Sequence, residues 1–373
     1  MQKNNLDRLY DIKVVLTFLV TVTFTGINGL ITFFLLVLIS ELNIGKDPEI
    51  KHGLSSGTSR LGGVAIVMSI FCGYSFNQFY LDSFSVDVLF SQSNLLVVFS
   101  FLIALIGLFE DLNQNLSSML RLLLMIFIVS SSMILTPELL PFNLELMELI
   151  GLYDSLVFIY IFVVVMICGF INAGNIADGA NGLLASIFFG FFVVLYDIDS
   201  SNLNFSILIS LVSFIIFNVA TGRIFLGDFG AYFLSSLIAF KSLQIYSNKQ
   251  ISVFFLASIL VYPCFEITRS IIARATKNLS LMTPDNNHLH NHLNAIILNS
   301  GFSRHISNSM TGVGIAFCTS IVPIYLYFNG ISMNSDIWRI LFLFQIMALS
   351  FIYIILKKNS LDDPNHCYNL DLK

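Results

Sequence analysis

Charge is what this sequence has least of. Only 11% of its 373 residues are charged, while 56% are hydrophobic and the mean hydropathy is +0.84. Soluble domains carry about 25% charged residues, so an ordinary soluble globule is excluded. The net charge of −5 says little, since most of the surface of such a chain faces lipid, and no nucleic-acid partner is expected. Five cysteines lie scattered, four of them in apolar segments and Cys367 in the tail. That spacing suits neither a disulfide framework nor a zinc site. No internal repeat is visible, which weakens the case for a transporter built from two related halves.

What the chain does have is long apolar runs. A membrane helix needs roughly 20 mostly apolar residues. Eleven such segments can be placed, near 14–40, 61–80, 94–109, 120–136, 155–171, 183–196, 203–220, 230–247, 251–272, 309–328 and 337–356. The expectation is an all-α polytopic membrane protein, one domain over 1–373 with a motif-bearing core at 41–308 and a short tail at 359–373. The first stretch is too long for a signal peptide and lacks a cleavage site, so it reads as an anchor. Alternating the loops with the N-terminus outside puts Lys46, Lys51, Arg60, Arg121, Arg223, Arg269, Arg274, Lys277, Arg304, Lys357, Lys358 and Lys373 on the cytoplasmic side. Lys3, Arg8, Lys13, Lys241, Lys249 and Arg339 fall on the other. That excess predicts N-terminus out and C-terminus in.

Under this topology the polar clusters nearly all meet on the cytoplasmic face. They are Gly57-Thr58-Ser59-Arg60-Leu61-Gly62-Gly63, the Glu110-Asp111 pair followed by Arg121, the stretch Asn172 to Gly182, the segment holding Asn218, Arg223 and Phe225-Leu226-Gly227-Asp228-Phe229-Gly230, and the loop 273–308. An ionisable group beside the hydrocarbon layer is costly and persists mainly where it lines a polar cavity or does chemistry. Asp228, flanked by apolar residues and glycines, fits that description best. Glu110, Asp111, Asp178 and Asp228 place carboxylates without nearby thiols on one face, a donor set for a hard cation. Asn175, Asp178 and Asn181 are three apart, so a helical turn would bring them near one face, either to read a polar ring or to cap a hairpin. Phe225 either stacks on a base or packs like the other 36 phenylalanines among the 37 present. His288, His290 and His292 alternate, which suits an extended segment, and the apolar run after them suits an amphipathic interfacial helix.

Together these motifs resemble the polyprenyl-phosphate N-acetylhexosamine-1-phosphate transferase family, over most of the chain from Thr58 to about Arg304. The resemblance implies that a polyprenyl (undecaprenyl) phosphate attacks the sugar-side phosphorus of a UDP-sugar and releases UMP. It implies magnesium, with manganese as the alternative, held by Asp228 and Asp111. Asp111 and Glu110 fall on the family's paired aspartates, and His288 and His290 on its histidine motif near the diphosphate or sugar. Asn175, Asp178, Asn181, Asn218, Phe225 and Gly227 fall on its nucleotide pocket. Arg60, Arg121 and His292 are assigned to phosphate or the lipid headgroup. Implied partners are a UDP-N-acetylhexosamine, polyprenyl phosphate and the bilayer of a bacterial-type inner membrane, and a homodimer is compatible.

Three positions depart from the family pattern: Glu110 and Asn181 replace aspartates, and Asn291 interrupts the adjacent histidines. The absence of three adjacent histidines favours surface-polysaccharide initiation over the peptidoglycan branch. Two alternatives stand beside this: a transporter or lipid flippase using intramembrane carboxylates, and a weakened family member serving as a partner in glycan assembly.

Overall fold

The computed structural model describes residues 2–26, 28–42, 45, 58–80, 92–113, 116–145, 155–249, 251–280 and 287–361. Within them the chain is helical. The helices are α1 (Gln2–Thr25), α2 (Asn28–Glu41), α3 (Gly62–Tyr80), α4 (Gln92–Asn113), α5 (Ser118–Leu135), α6 (Leu156–Ala177), α7 (Leu183–Ile198), α8 (Asn202–Thr221), α9 (Gly227–Lys249), α10 (Val253–Ile259), α11 (Val261–Thr276), α12 (Leu289–Asn299), α13 (Arg304–Phe328) and α14 (Ile337–Leu361), with a 3-10 turn at Pro137–Leu139. Six of these are long and apolar enough to cross a membrane, seven if the bent pair α10–α11 counts as one span. The eleven segments of the sequence are not all met as spans, since parts of α1, α2, α3 and α7 are shorter apolar helices. The tail expected from 359 starts inside α14. Residues 362–373, Lys46, Lys51, Asn115 and Pro284-Asp285-Asn286 lie outside the described residues.

Serines open several of the helices. Ser117, Ser155, Ser201 and Ser303 each accept a hydrogen bond from the backbone N–H three residues on, satisfying a donor the helix cannot. At Leu260 the apolar run bends by 90° between α10 and α11. Pro263, in the first turn of α11, has no N–H to continue the preceding ladder.

The central element is α9. It packs against α3, α4 and α6. Glycine makes the closest of these approaches possible, because a Cβ on Gly63 would overlap the backbone of Gly230, and one on Gly107 would overlap that of Asp228. Around this centre Phe188, Phe192, Phe214, Phe217 and Phe233 are fully buried. Large apolar side chains such as Phe127, Ile134, Phe344 and Phe351 are exposed along α5 and α14. Soluble monomers do not sustain such faces, and a bilayer covers them.

The first apolar run corrects the expected topology. It is not one span over 14–40 but two helices broken at Gly26, where φ is +59°. The helices fold back on each other, since the Phe18 and Phe33 rings lie 5.5 Å apart. Glu41, at the end of α2, reaches Arg223 at 3.8 Å, and Lys13 lies near enough to His305 for its charge to act there. Both arms therefore open at the end of the bundle that carries Arg223. Their apolar parts, Ile12–Thr25 and Gly29–Glu41, are each about 20 Å long at ~1.5 Å per residue. That is less than the ~30 Å hydrocarbon core. The N-terminal arm thus lies with its open end toward the end of the bundle where the motifs gather.

Candidate active site

Five chain segments meet at the start of α9. The link before it, residues 222–226, is stitched to residues 58–63 by backbone bonds. Ser59 and Ile224 form a parallel bridge, Phe225 N–H donates to the Ser59 carbonyl at 2.8 Å, and the N–H groups of Gly62 and Gly63 donate to the carbonyls of Phe225 and Leu226 at 2.9 and 2.8 Å. Gly227 then turns the chain with φ +75°, and a Cβ there would overlap the Arg60 carbonyl, so only glycine fits.

Asp111 closes this turn from α4. Its Oδ1 accepts from Asp228 N–H at 3.1 Å and its Oδ2 from Phe229 N–H at 2.9 Å. It is 2% exposed. The carboxylate thus occupies the anion-binding end of α9, where unpaired N–H groups favour negative charge. Asp228, the next residue of the turn, receives Arg121 Nη1 at 3.2 Å, and the same guanidinium lies 3.7 Å from Glu110. Glu110 also accepts from Leu116 N–H at 3.1 Å. Arg60 is close enough for its charge to act on Asp111, Asp178 and Asp228 together.

Asp178 follows the last residue of α6, with its N–H bonded to Gly174 and Asn175 carbonyls. Its carboxyl is pushed up to about 7, first by burial and then by the Asp228 charge, against the pull of Arg60 and the Gly227 N–H. Asn175 is half-buried on the last turn of α6. Phe225 is half-buried in the stitched link.

Two of the residues assigned to the nucleotide pocket also make contacts within the fold. Asn218 accepts from Gly182 N–H and donates to the Ile224 carbonyl, both at 2.6 Å. Asn181 does not continue a helical face with Asn175 and Asp178, because α6 ends at Ala177 and the chain turns before α7. Its amide donates to Ser309 at 3.2 Å and its backbone N–H to Asn308 at 3.1 Å, which locks the turn against α13.

Only the first of the histidines is extended. His288 precedes α12 and the other two lie within it. Residues two apart on a helix point about 200° apart at 3.6 residues per turn. His290 accordingly faces the site: a Cβ on Gly179 would overlap its Nε2. His292 turns away, bonding Ser360 at 2.7 Å and meeting the Tyr353 ring at 5.7 Å. The structure therefore brings Arg60, Glu110, Asp111, Arg121, Asp178, Asp228 and His290 together and leaves His292 in the packing with α14. His288 and His290 stack with centroids 5.2 Å apart.

Sequence reasoning missed the support beneath them. Glu266, fully buried on α11, accepts from Leu289 N–H at 2.8 Å and Tyr262 Oη at 3.2 Å, and pairs with His288 Nδ1 at 2.9 Å and Arg269 Nε at 3.2 Å. An acid and a base three residues apart inside an apolar run are the signal that could have found it.

Oxygen donors without thiolates suit a hard cation such as magnesium. Among the described residues no three carboxylate, thiol or imidazole side chains close on one point. The protein would therefore give one or two carboxylates, from Asp228 and Asp111, with substrate phosphates and water completing the shell. That is the usual pattern for magnesium, and Asp228 and Asp111 lie close enough for their charges to act on each other.

Residues 93–246 match the glycosyl transferase family 4 model. That span holds every acidic residue of the site but neither Arg60 nor the histidines. The chain is 27% identical over 308 residues, 79% of each protein, to a probable undecaprenyl-phosphate N-acetylglucosaminyl 1-phosphate transferase of Bacillus subtilis. It is 26% identical to a phospho-N-acetylmuramoyl-pentapeptide-transferase of Halalkalibacterium halodurans, over 86% of this chain and 98% of the relative. It is 24% identical to an undecaprenyl-phosphate alpha-N-acetylglucosaminyl 1-phosphate transferase of Thermotoga maritima, over 89% and 98%.

Proposed function

From a glycosyl transferase family 4 domain at residues 93–246 of an integral membrane protein, we propose the transfer of a sugar 1-phosphate, an N-acetylhexosamine phosphate, from a UDP-sugar to polyprenyl phosphate. One observation carries this: carboxylates and two arginines converge at the start of α9, at one end of an apolar bundle. A lipid nucleophile held in the bilayer can meet a water-soluble donor there. A flippase would need its charges spread through the depth of the bundle.

In the reaction, an oxygen of the lipid phosphate attacks the sugar-side phosphorus. The bond from that phosphorus to the bridging oxygen breaks, and UMP leaves with the electron pair. Such transfers depend on positioning and on stabilising charge. Arg60 and Arg121 supply side-chain cations for the diphosphate. Asp228, in contact with Arg121, is the first ligand for magnesium, which when bound neutralises charge on the diphosphate oxygens. Asp111, with both oxygens engaged by N–H groups, acts chiefly by fixing the Asp228 turn. A base is not required, because a phosphate monoester with a second pKa near ~6 is already largely ionised. Asn175, Asp178 and Phe225 border the space left for the nucleotide. On this reading the site lies on the cytoplasmic face of the inner membrane, where nucleotide sugars are available, and the N-terminus, at the same end of the bundle, lies on that face too. Moving Lys3, Arg8 and Lys13 to that side strengthens the basic excess there. The pathway served is surface-polysaccharide initiation.

The test is UMP release by purified protein given undecaprenyl phosphate, magnesium and a panel of UDP-N-acetylhexosamines. Release with one donor supports the proposal. No release with any donor, and none with bacterial membranes supplying substrates, overturns it.

A further inference from the structure

Glu266 sits where a charge is least expected, wholly buried on a helix of the apolar bundle. Such a carboxylate persists only with full compensation. Here Leu289 N–H, Tyr262 O–H and Arg269 all donate to it, and His288 Nδ1, which Arg269 Nη2 also meets at 3.0 Å, lies 2.9 Å away. The decisive member is Tyr262. Its hydroxyl lies 3.2 Å from Glu266 Oε1 and 2.9 Å from His290 Nδ1, yet it carries one proton. An ionised carboxylate has no proton to give, so the phenol donates to Glu266. The phenol oxygen is then left to accept, and His290 Nδ1 must hold the hydrogen it donates.

We infer that Glu266, through Tyr262, is the positioning residue that fixes His290 as its Nδ1–H tautomer, with the Nε2 lone pair aimed at the loop 174–182. The direction follows from Gly179, whose missing Cβ makes room for Nε2. Burial also pushes the His290 imidazole down to about 3, with the neighbouring His288 acting in the same sense, which keeps the ring neutral. A neutral ring with a free Nε2 accepts hydrogen bonds and donates none there. Its partner on the substrate is therefore a donor, a hydroxyl or amide N–H of the transferred sugar, and not a bare diphosphate oxygen. This assignment of the sugar contact rests on the proposed transferase reaction; the tautomer does not. Glu266 and Tyr262 reach the substrate only through His290.

The experiment combines ring 15N spectra of histidine-labelled protein with UMP-release kinetics. The His290 signals are those lost in His290→Asn. Native protein should show a protonated Nδ1 and an unprotonated Nε2 for this ring. Tyr262→Phe removes the acceptor and should mix in the Nε2–H form. It should lower kcat about 10- to 100-fold, the range set by losing one proton-handling or orienting contact, while KM for undecaprenyl phosphate stays within about 2-fold. Glu266→Gln should shift the same signals and carries the test if Tyr262→Phe does not fold. A native His290 spectrum in the folded variant, or an Nε2–H form in the native protein, overturns the inference. Normal kcat despite a shifted tautomer overturns the sugar contact. Absence of UMP from the native enzyme would instead defeat the transferase proposal, with the spectra still deciding the tautomer.

Discussion

The acidic end of the site and the histidine end are built on opposite principles. At the start of α9, Asp111, Asp178 and Asp228 crowd together, and the nearby cations Arg60 and Arg121 are shared among them and Glu110. Beneath the histidines, a single carboxylate meets donors from Leu289, Tyr262 and Arg269. The first cluster leaves four acids to share two cations, whereas the second is complete in itself. A chemical centre and its rigid support can therefore be told apart by how fully their charges are answered.

Breaking the acidic half should have the largest effect. Asp228→Asn is expected to lower kcat for UMP release by at least about 1000-fold, as loss of a central electrostatic contact does, with the thermal midpoint in detergent within a few degrees of native. Near-normal turnover would remove Asp228 from the metal role. Joining the halves by force comes next. Gly179→Ala drives a methyl into His290, which Tyr262 holds in place, so kcat should fall about 10- to 100-fold. A variant with full activity would mean that the two ends work independently.

A third test reads the crowding itself. The Asp178 carboxyl lies near 7 in the folded state against 3.8 for the ordinary group. A raised acid makes the folded state hold the proton more tightly than the unfolded state. Its contribution to stability is full below about pH 3.8 and is lost as pH rises through about 7. In metal-free buffer the native thermal midpoint should therefore fall as pH rises from about 4 to 7 and level off above, and Asp178→Asn should flatten that slope. An unchanged slope would show that Asp178 is not strained by its neighbours. The smallest effect on activity belongs to His292→Gln, because that side chain faces Ser360 and Tyr353. Here kcat should stay within about 3-fold while the midpoint drops by a few degrees, as for loss of a buried hydrogen bond. A collapse of kcat would return His292 to the site.

Much of this was legible in the sequence, and the gaps have physical causes. Apolar length locates helices well, but it does not see a fold-back. Gly26, Asn28 and Gly29 are turn-formers inside an unbroken apolar run, and hydropathy outweighed them. The acidic residues stood out because the helix ends around them are polar. Glu266 did not, since its burial within an apolar segment made it resemble an isolated defect and its partners lie far along the chain. Spacing misled at two places. Asn175, Asp178 and Asn181 keep a helical interval across a helix that stops, and the alternating histidines suggested an extended segment or loop where a helix starts.

The stitched link between Ser59 and Ile224 has a consequence for synthesis. The ribosome delivers Ser59 early, and helices α3 to α8 must enter the membrane before Ile224 arrives to pair with it. Until then Asp111 has no amides to bind, because α9 has not been made. A nascent chain released before that point holds most of the membrane anchor and none of the assembled centre.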